Sequence, residues 1–376
     1  MIYLSCTYYE NTEDKTMSKN KHGANLFELS EKYNFNLDDI LDFSSNINPF
    51  GCSKKALEYV RSNLAKVSIY PDPKYKKLLN AVSSYCRINT QNIILGSGAT
   101  GLISGFINYI KPENAVLVMP AYSEYEAELI KMPDCSIDYH CLKKEDDFYI
   151  NIDNLIQAVN KNNARLLILC SPNNPTGSII EKAQIIRLLD NTSCHIMIDE
   201  TYIEFTDMEQ YSAVSLCQQH SRLFIVRSTS KFFAVPGIRL GYGITSNKEF
   251  LERYSLQSNL WEINIIASMM GEIMFTDKEF IEECSAKIAA ERKYLQSSLA
   301  QIAALKVYPS FGNFILCEII SKRIDAAALY DRLISQAIAI RNCSGFKTLD
   351  KYFFRICILK PEQNKFLVQK LIEIFS

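Results

Sequence analysis

The chain has 376 residues, a formal net charge of −1 and 48% hydrophobic residues. That apolar content supports one large domain with a smaller one beside it, and the balanced charge gives no basis for a nucleic-acid or membrane-surface partner. There is no run of about eighteen apolar residues and no basic segment leading into an apolar one, so a cytoplasmic protein without a spanning helix is expected.

Residues 1–16 are polar and aperiodic, and Met17 is the expected natural start, with an extension upstream of it. An alternating pattern follows. Short apolar runs at 92–95, 115–119, 165–170, 195–198, 223–226 and 240–244 have strand length and turn-forming neighbours. Between them lie stretches of helical period, such as 182–189 and 248–257. This alternation predicts a mostly parallel sheet covered on both faces. A helical stretch at about 277–302 opens a different region. Its apolar runs at 306–309, 311–319, 337–341 and 352–358 surround a helix at 325–336 and precede a final helix. The predicted division is an N-terminal extension and arm over 1–48 packing on the small domain, a large domain over 49–275 and a small C-terminal domain over 276–376.

The twelve cysteines contain no CxxC pair. They read as reduced thiols, with Cys141, Cys170 and Cys317 filling apolar stretches. Four histidines without ligand spacing predict no structural metal.

Ligands of such sheets sit beyond the carboxyl ends of the strands, and the chemically capable residues fall there. Lys231 lies in Ser228-Thr229-Ser230-Lys231, with Arg239 following in Pro236-Gly237-Ile238-Arg239. A lysine amine joins an aldehyde as a Schiff base, while hydroxyls and an arginine hold a phosphate. Pyridoxal 5′-phosphate carries both groups. Asp199 ends the run at 195–198 and can keep a pyridine nitrogen protonated; by itself it would be an ordinary cap. Asn174, in Asn173-Asn174-Pro175-Thr176-Gly177, can offer its amide to a ring oxygen, or simply belong to a proline turn. Gly96–Gly101 opens a helix whose N–H groups can bind phosphate. Tyr122 can stack on a ring or fill the core.

In this order and spacing, these strings resemble pyridoxal-phosphate-dependent transferases of fold type I, in the class I/II aminotransferase group, over nearly the whole chain from His22. The resemblance implies an α/β fold with a mostly parallel central sheet and a smaller α+β C-terminal domain. It implies Lys231, Asp199 and Tyr202 as catalytic groups, with Lys231 joined to the cofactor, Asp199 on the ring nitrogen, and Tyr202 and Asn174 on the ring hydroxyl. Ser228, Ser230, Arg239 and the Gly98, Ala99 and Thr100 loop would hold the phosphate, and Tyr122 would stack on the ring. Tyr70, in Ile69-Tyr70-Pro71-Asp72, would reach the cofactor of a neighbouring subunit, making a homodimer the working unit.

A finer resemblance lies in His22-Gly23-Ala24-Asn25, in Asp42-Phe43-Ser44-Ser45-Asn46-Ile47-Asn48-Pro49-Phe50-Gly51, in Trp261–Asn264 and in Ile340–Cys343. These are similar to the threonine-phosphate decarboxylases of cobalamin biosynthesis, relatives of the histidinol-phosphate aminotransferases. That implies a phosphorylated amino-acid substrate, with His22, Asn48, Asn174, Arg341 and Arg355 on the substrate. Gly101, Ala24 and Glu262 depart from the relatives' usual residues. A decarboxylase is the first expectation and a histidinol-phosphate-type aminotransferase the alternative. A cofactor-binding regulator without catalysis ranks last, because Lys231 and Asp199 are both present.

Overall fold

The computed structural model describes Gly23 and residues 25–376. The strands are β1 (Leu41–Asp42), β2 (Ile93–Gly96), β3 (Asn114–Met119), β4 (Ser136–Cys141), β5 (Leu166–Cys170), β6 (His195–Asp199), β7 (Leu223–Ser228), β8 (Gly241–Ile244), β9 (Leu305–Val307), β10 (Phe314–Ile319), β11 (Ile338–Ala339), β12 (Arg341–Asn342) and β13 (Phe353–Cys357). Seven of them form the large sheet in the order β2-β8-β7-β6-β5-β3-β4. β3 to β7 run parallel to one another, and β8 is antiparallel to both β2 and β7.

Alternation along the central strands divides the core between two faces. Val116, Leu167, Ile196, Ile198 and Ile225 join one apolar cluster, with the helices Lys76–Cys86, Ile152–Lys161, Lys182–Asn191 and Ile265–Met274. Leu117, Ile168, Met197, Phe224 and Val226 join the other, under the helices Ala99–Ile110, Ser123–Ile130 and Lys248–Gln257. Burial on both faces explains why these strands are apolar throughout.

The helix Lys278–Leu299 leads to a four-stranded sheet, β12-β13-β10-β9, whose strands pair antiparallel. The apolar run at 337–341 resolves into two strands, because Ile340 lies between β11 and β12. β1 pairs in parallel with β11, Leu41 opposite Ile338 and Asp42 opposite Ala339. Leu29 and Ile40 pack there with Ile334 and Ala339. The arm is thereby tied to the C-terminal region one strand away from Arg341.

Candidate active site

A cavity of about 900 Å³ opens at the carboxyl ends of β5, β6 and β7 and is closed from the other side by residues 44–47, 341, 345–347 and 355. Lys231 follows β7 in a short turn. The Ser228 hydroxyl lies 2.9 Å from the Ser230 hydroxyl and accepts from the Ser230 N–H at 3.2 Å. Lys231 Nζ donates to the Ser45 carbonyl at 2.8 Å. Burial first, and then the Arg355 guanidinium, push the Lys231 amine down to about 8; Arg239 adds to this, while Cys357 and Asp42 oppose it. At pH 7 about one amine in ten is then neutral, against about one in three thousand for an ordinary lysine. The neutral amine is the form that attacks a carbonyl.

Asp199, at the end of β6, is buried. The Tyr125 hydroxyl donates to its Oδ2 at 2.6 Å, and the Thr201 N–H donates to Oδ1 at 2.8 Å. Burial pushes the carboxyl up, and the donors from Thr201 and Tyr125 pull the other way. Tyr202 Oη accepts from Asn46 Nδ2 at 3.3 Å, and burial holds this phenol far above its ordinary value. In the turn at 173–177, Asn173 Nδ2 donates to the Pro120 carbonyl at 3.0 Å and to Thr176 Oγ1 at 2.9 Å. That rigid turn presents Asn174, whose Oδ1 accepts from Arg355.

The anion cradle is built by close backbone approach. Gly98, with φ +85°, precedes the helix Ala99–Ile110; a Cβ there would stand 2.6 Å from Arg239 Nη2. Gly241 repeats the constraint from the other side, since its Cβ would stand 2.7 Å from the Gly98 carbonyl carbon. Ala99 and Thr100 at the helix start, Ser228, Ser230 and Arg239 all line the cavity. Helix N–H groups, two hydroxyls and a guanidinium form a donor set that fits a phosphate monoester. Asp199 lies in the same cavity to meet a ring cation, and Tyr122 lies beside it, edge-on to Tyr125 with ring centroids 5.6 Å apart. The residues present fit pyridoxal phosphate.

Arg355 on β13 is buried; it donates to Asn174 and to the Ser44 carbonyl at 2.5 Å. Arg341 stands directly opposite it on β12, and both line the cavity. The Arg341 guanidinium lies over Phe346 at 5.6 Å, and burial, with Arg355 second, lowers its pKa.

Neither Asn48 nor Tyr70 lines this cavity. Asn48 is buried behind it: its Nδ2 donates to the Phe232 carbonyl at 2.9 Å, its Oδ1 accepts from the Phe50 N–H at 3.0 Å, and its own N–H donates to the Lys231 carbonyl at 3.0 Å. Asn48 was expected on the substrate; here its carboxamide is engaged with the backbone at Phe232 and Phe50, and its own N–H braces the Lys231 carbonyl. Tyr70 lies outside its own chain's cavity lining, 74% exposed, with its ring stacked on Trp261 at 4.1 Å. His22, Ala24 and Met17 lie outside the described residues.

Sequence reasoning missed three contributors. Tyr125 sits three residues after Tyr122, a spacing that puts both on one helical face. The turn at 44–46 supplies carbonyls to Lys231 and Arg355. The loop after β12 carries Lys347, which is ion-paired with Glu126 and donates to Tyr139 Oη at 3.2 Å, bridging to the helix Ser123–Ile130. Glu262, a departure from the relatives, accepts from the Ser97 N–H at 3.3 Å beside the phosphate cradle.

Residues 38–371 match the family model for aminotransferase class I and II, and the chain belongs to that family. It has the α/β fold of fold type I, and pyridoxal 5′-phosphate is its cofactor. Among relatives, a Caldanaerobacter subterraneus subsp. tengcongensis protein, provisionally named a threonine-phosphate decarboxylase, is 34% identical over 97% of this chain and 96% of its own. The histidinol-phosphate aminotransferase of Methanococcus aeolicus is 29% identical over 94% of this chain and 95% of its own. The crystal structure of the histidinol-phosphate aminotransferase from Clostridium acetobutylicum superposes with a TM-score of 0.83 at 34% identity, covering 89% of this chain and 99% of that one. Among the described residues no helix is long and apolar enough to cross a membrane.

Proposed function

We propose that this enzyme removes CO2 from an O-phosphorylated hydroxy-amino acid, O-phospho-L-threonine or O-phospho-L-serine, to give the amino-alcohol phosphate of a cobamide nucleotide loop. The observation that carries this reading is the cross-strand pair Arg341 and Arg355 on the cavity wall. Like charges directly opposite on a sheet repel, and a short molecule bearing a carboxylate and a phosphate relieves that repulsion at both ends. Arg355, anchored by Asn174 and Ser44, grips the carboxylate; Arg341 takes the phosphate, with His22 assigned to the same group. The guanidinium fork suits both anions.

Bound in the cavity, pyridoxal phosphate supplies a conjugated ring into which the electrons of a broken Cα bond flow. Asp199 would keep the ring nitrogen protonated, Tyr202 and Asn174 would bind the ring hydroxyl, and Ser228, Ser230, Arg239 and residues 98–100 would hold the cofactor phosphate. Arg355 would orient the substrate carboxylate; held perpendicular to the ring of the bound cofactor, that group would leave as CO2, whereas a perpendicular Cα–H would be lost as a proton. Lys231 then returns a proton to Cα. Tyr70 is assigned to the cofactor phosphate of a neighbouring subunit in a homodimer, which accords with its exposure and its separation from its own cavity.

The second reading, a histidinol-phosphate-type aminotransferase, is favoured by the 34% identity to the solved Clostridium acetobutylicum enzyme. The discriminating experiment incubates cofactor-loaded protein with each phosphoamino acid and no keto acid. Release of CO2 and the phosphoamine supports the decarboxylase. No CO2, with amino transfer from histidinol phosphate to 2-oxoglutarate, replaces it with the aminotransferase.

A further inference from the structure

The groups that do the chemistry come from β6, from β7 and the turn after it, and from β13, yet two of them lean on one short turn of the N-terminal arm. Lys231 Nζ donates to the Ser45 carbonyl at 2.8 Å, and Arg355 Nη2 donates to the Ser44 carbonyl at 2.5 Å. The Asp42 carboxylate holds the turn from within. Asp42 Oδ1 accepts from the Ser44 N–H at 2.8 Å and from the Ser44 hydroxyl at 2.6 Å, and Oδ2 accepts from the Ser45 hydroxyl. The next residue, Asn46, has φ 53° and reaches Tyr202 through its amide. Gly23 packs against the same turn, where a Cβ would come within 2.8 Å of Ser45 Oγ.

The backbone of Asp42 is fixed independently. β1 pairs with β11; Phe43 N–H donates to the Ala339 carbonyl at 2.8 Å, Cys357 N–H donates to the Phe43 carbonyl at 2.7 Å, and Cys357 Sγ lies 3.3 Å from the Asp42 carbonyl. The Asp42 side chain is therefore not needed to keep the strand in register. Its three acceptor contacts all go forward, into the turn that touches the site.

We propose that Asp42 is a positioning residue: its carboxylate folds residues 42–46 into the turn whose carbonyls aim the Lys231 amine and the Arg355 guanidinium. The inference rests on the roles given above to Lys231 and Arg355. Asp42 acts on Lys231 in two ways that share a sign. Its negative charge and the Ser45 carbonyl it holds both favour the protonated amine. The charged and titratable groups facing that amine are Arg355 and Cys357 on β13, Asp42 on β1 and Arg239 from the segment after β7.

The test compares Asp42→Ala, Asp42→Asn and the double variant Ser44→Ala/Ser45→Ala with the wild-type holoenzyme. Two readouts are taken: the pH midpoint of the cofactor's absorbance, which needs no substrate, and the apparent Kd of O-phospho-L-threonine from the spectral change on binding. Thermal melts show that each variant is folded. Asp42→Ala is expected to move the midpoint to lower pH and to weaken Kd by about tenfold or more, the scale of losing a hydrogen bond that orients a charged group. Asp42→Asn keeps an acceptor for the Ser44 N–H, so it is expected to recover part of the affinity while the midpoint stays shifted. If Asp42→Ala does not fold, the serine pair decides: it keeps the charge and loosens the turn, so Kd should weaken with a smaller midpoint shift. A folded Asp42→Ala, or a folded serine pair in its place, with both readouts at wild-type values overturns the proposal. If wild-type enzyme does not bind O-phospho-L-threonine, the substrate reading fails, and the midpoint alone decides for Asp42.

Discussion

The Tyr125 hydroxyl donates to Asp199 at 2.6 Å in a fully buried setting. Burial works against the ionised carboxylate, and this donor is one of the few contacts favouring it. Tyr125→Phe removes the donor and leaves the ring packing intact, so the carboxyl moves further up and Asp199 becomes a weaker partner for a protonated ring nitrogen. Turnover is expected to fall by about tenfold or more, with a loss of stability of about 1–3 kcal/mol. Steady-state kinetics at pH 6, 7 and 8 and urea unfolding check both; unchanged kinetics at every pH would remove Tyr125 from the account of Asp199.

That contact also marks where sequence reasoning stopped. Lys231, Asp199 and Asn174 were legible because each follows an apolar strand in a distinctive string. Tyr125 sits in an ordinary helix whose neighbours carry no such signal. β4 was missed for a related reason: Ser136–Cys141 lies at the sheet edge, no residue in it is fully buried, and half of it is polar. The reversal of β8 was not legible either, since direction is set by pairing partners and not by the strand's own residues. Asn48 is a different case. A residue in a distinctive string invited a substrate role, while its carboxamide is engaged with the backbone at Phe232 and Phe50.

Gly98 is expected to tolerate no side chain. Its φ of +85° disfavours any Cβ, and that Cβ would meet Arg239 Nη2 at 2.6 Å. Gly98→Ala should displace the guanidinium from the cradle and weaken cofactor binding by about tenfold or more, on the scale of one charge-assisted hydrogen bond. Equilibrium dialysis of pyridoxal phosphate against the apoprotein measures this. Gly101→Ala is the control, because nothing lies within 4 Å of a Cβ there. Equal affinity in both variants would contradict the cradle.

Arg355 and Arg341 should respond differently to lysine. Arg355 holds Asn174 and Ser44 with separate nitrogens while it stays buried, and one ammonium cannot reproduce that fork. Arg355→Lys is expected to raise KM by about tenfold or more and to cost about 1–3 kcal/mol of stability, because partners are left unsatisfied. Arg341 is less buried and rests on Phe346, so Arg341→Lys should raise KM with a smaller loss of stability than Arg355→Lys. Kinetics with the phosphoamino acid, paired with thermal melts, separate the two. A stability loss at Arg341 equal to that at Arg355 would mean that the pair is structural.

Lys231 ties stability to pH with a sign that can be worked out. Its folded value is about 8 and its ordinary value 10.5. Below about pH 8 both states carry the proton, and this group contributes no slope. Between about 8 and 10.5 the unfolded chain holds more protons than the folded one, so Lys231 makes stability rise with pH. Other groups titrate in the same window, buried tyrosines among them, so the informative quantity is a difference. In the apoprotein, the stability of wild type minus that of Lys231→Met should be flat from pH 6 to 7 and climb steadily from pH 8 to 10. Urea unfolding of both proteins at unit steps of pH measures it. A flat difference throughout would mean that the amine titrates as an ordinary lysine, and the neutral fraction at pH 7 that makes Lys231 ready to join a carbonyl would be lost with it.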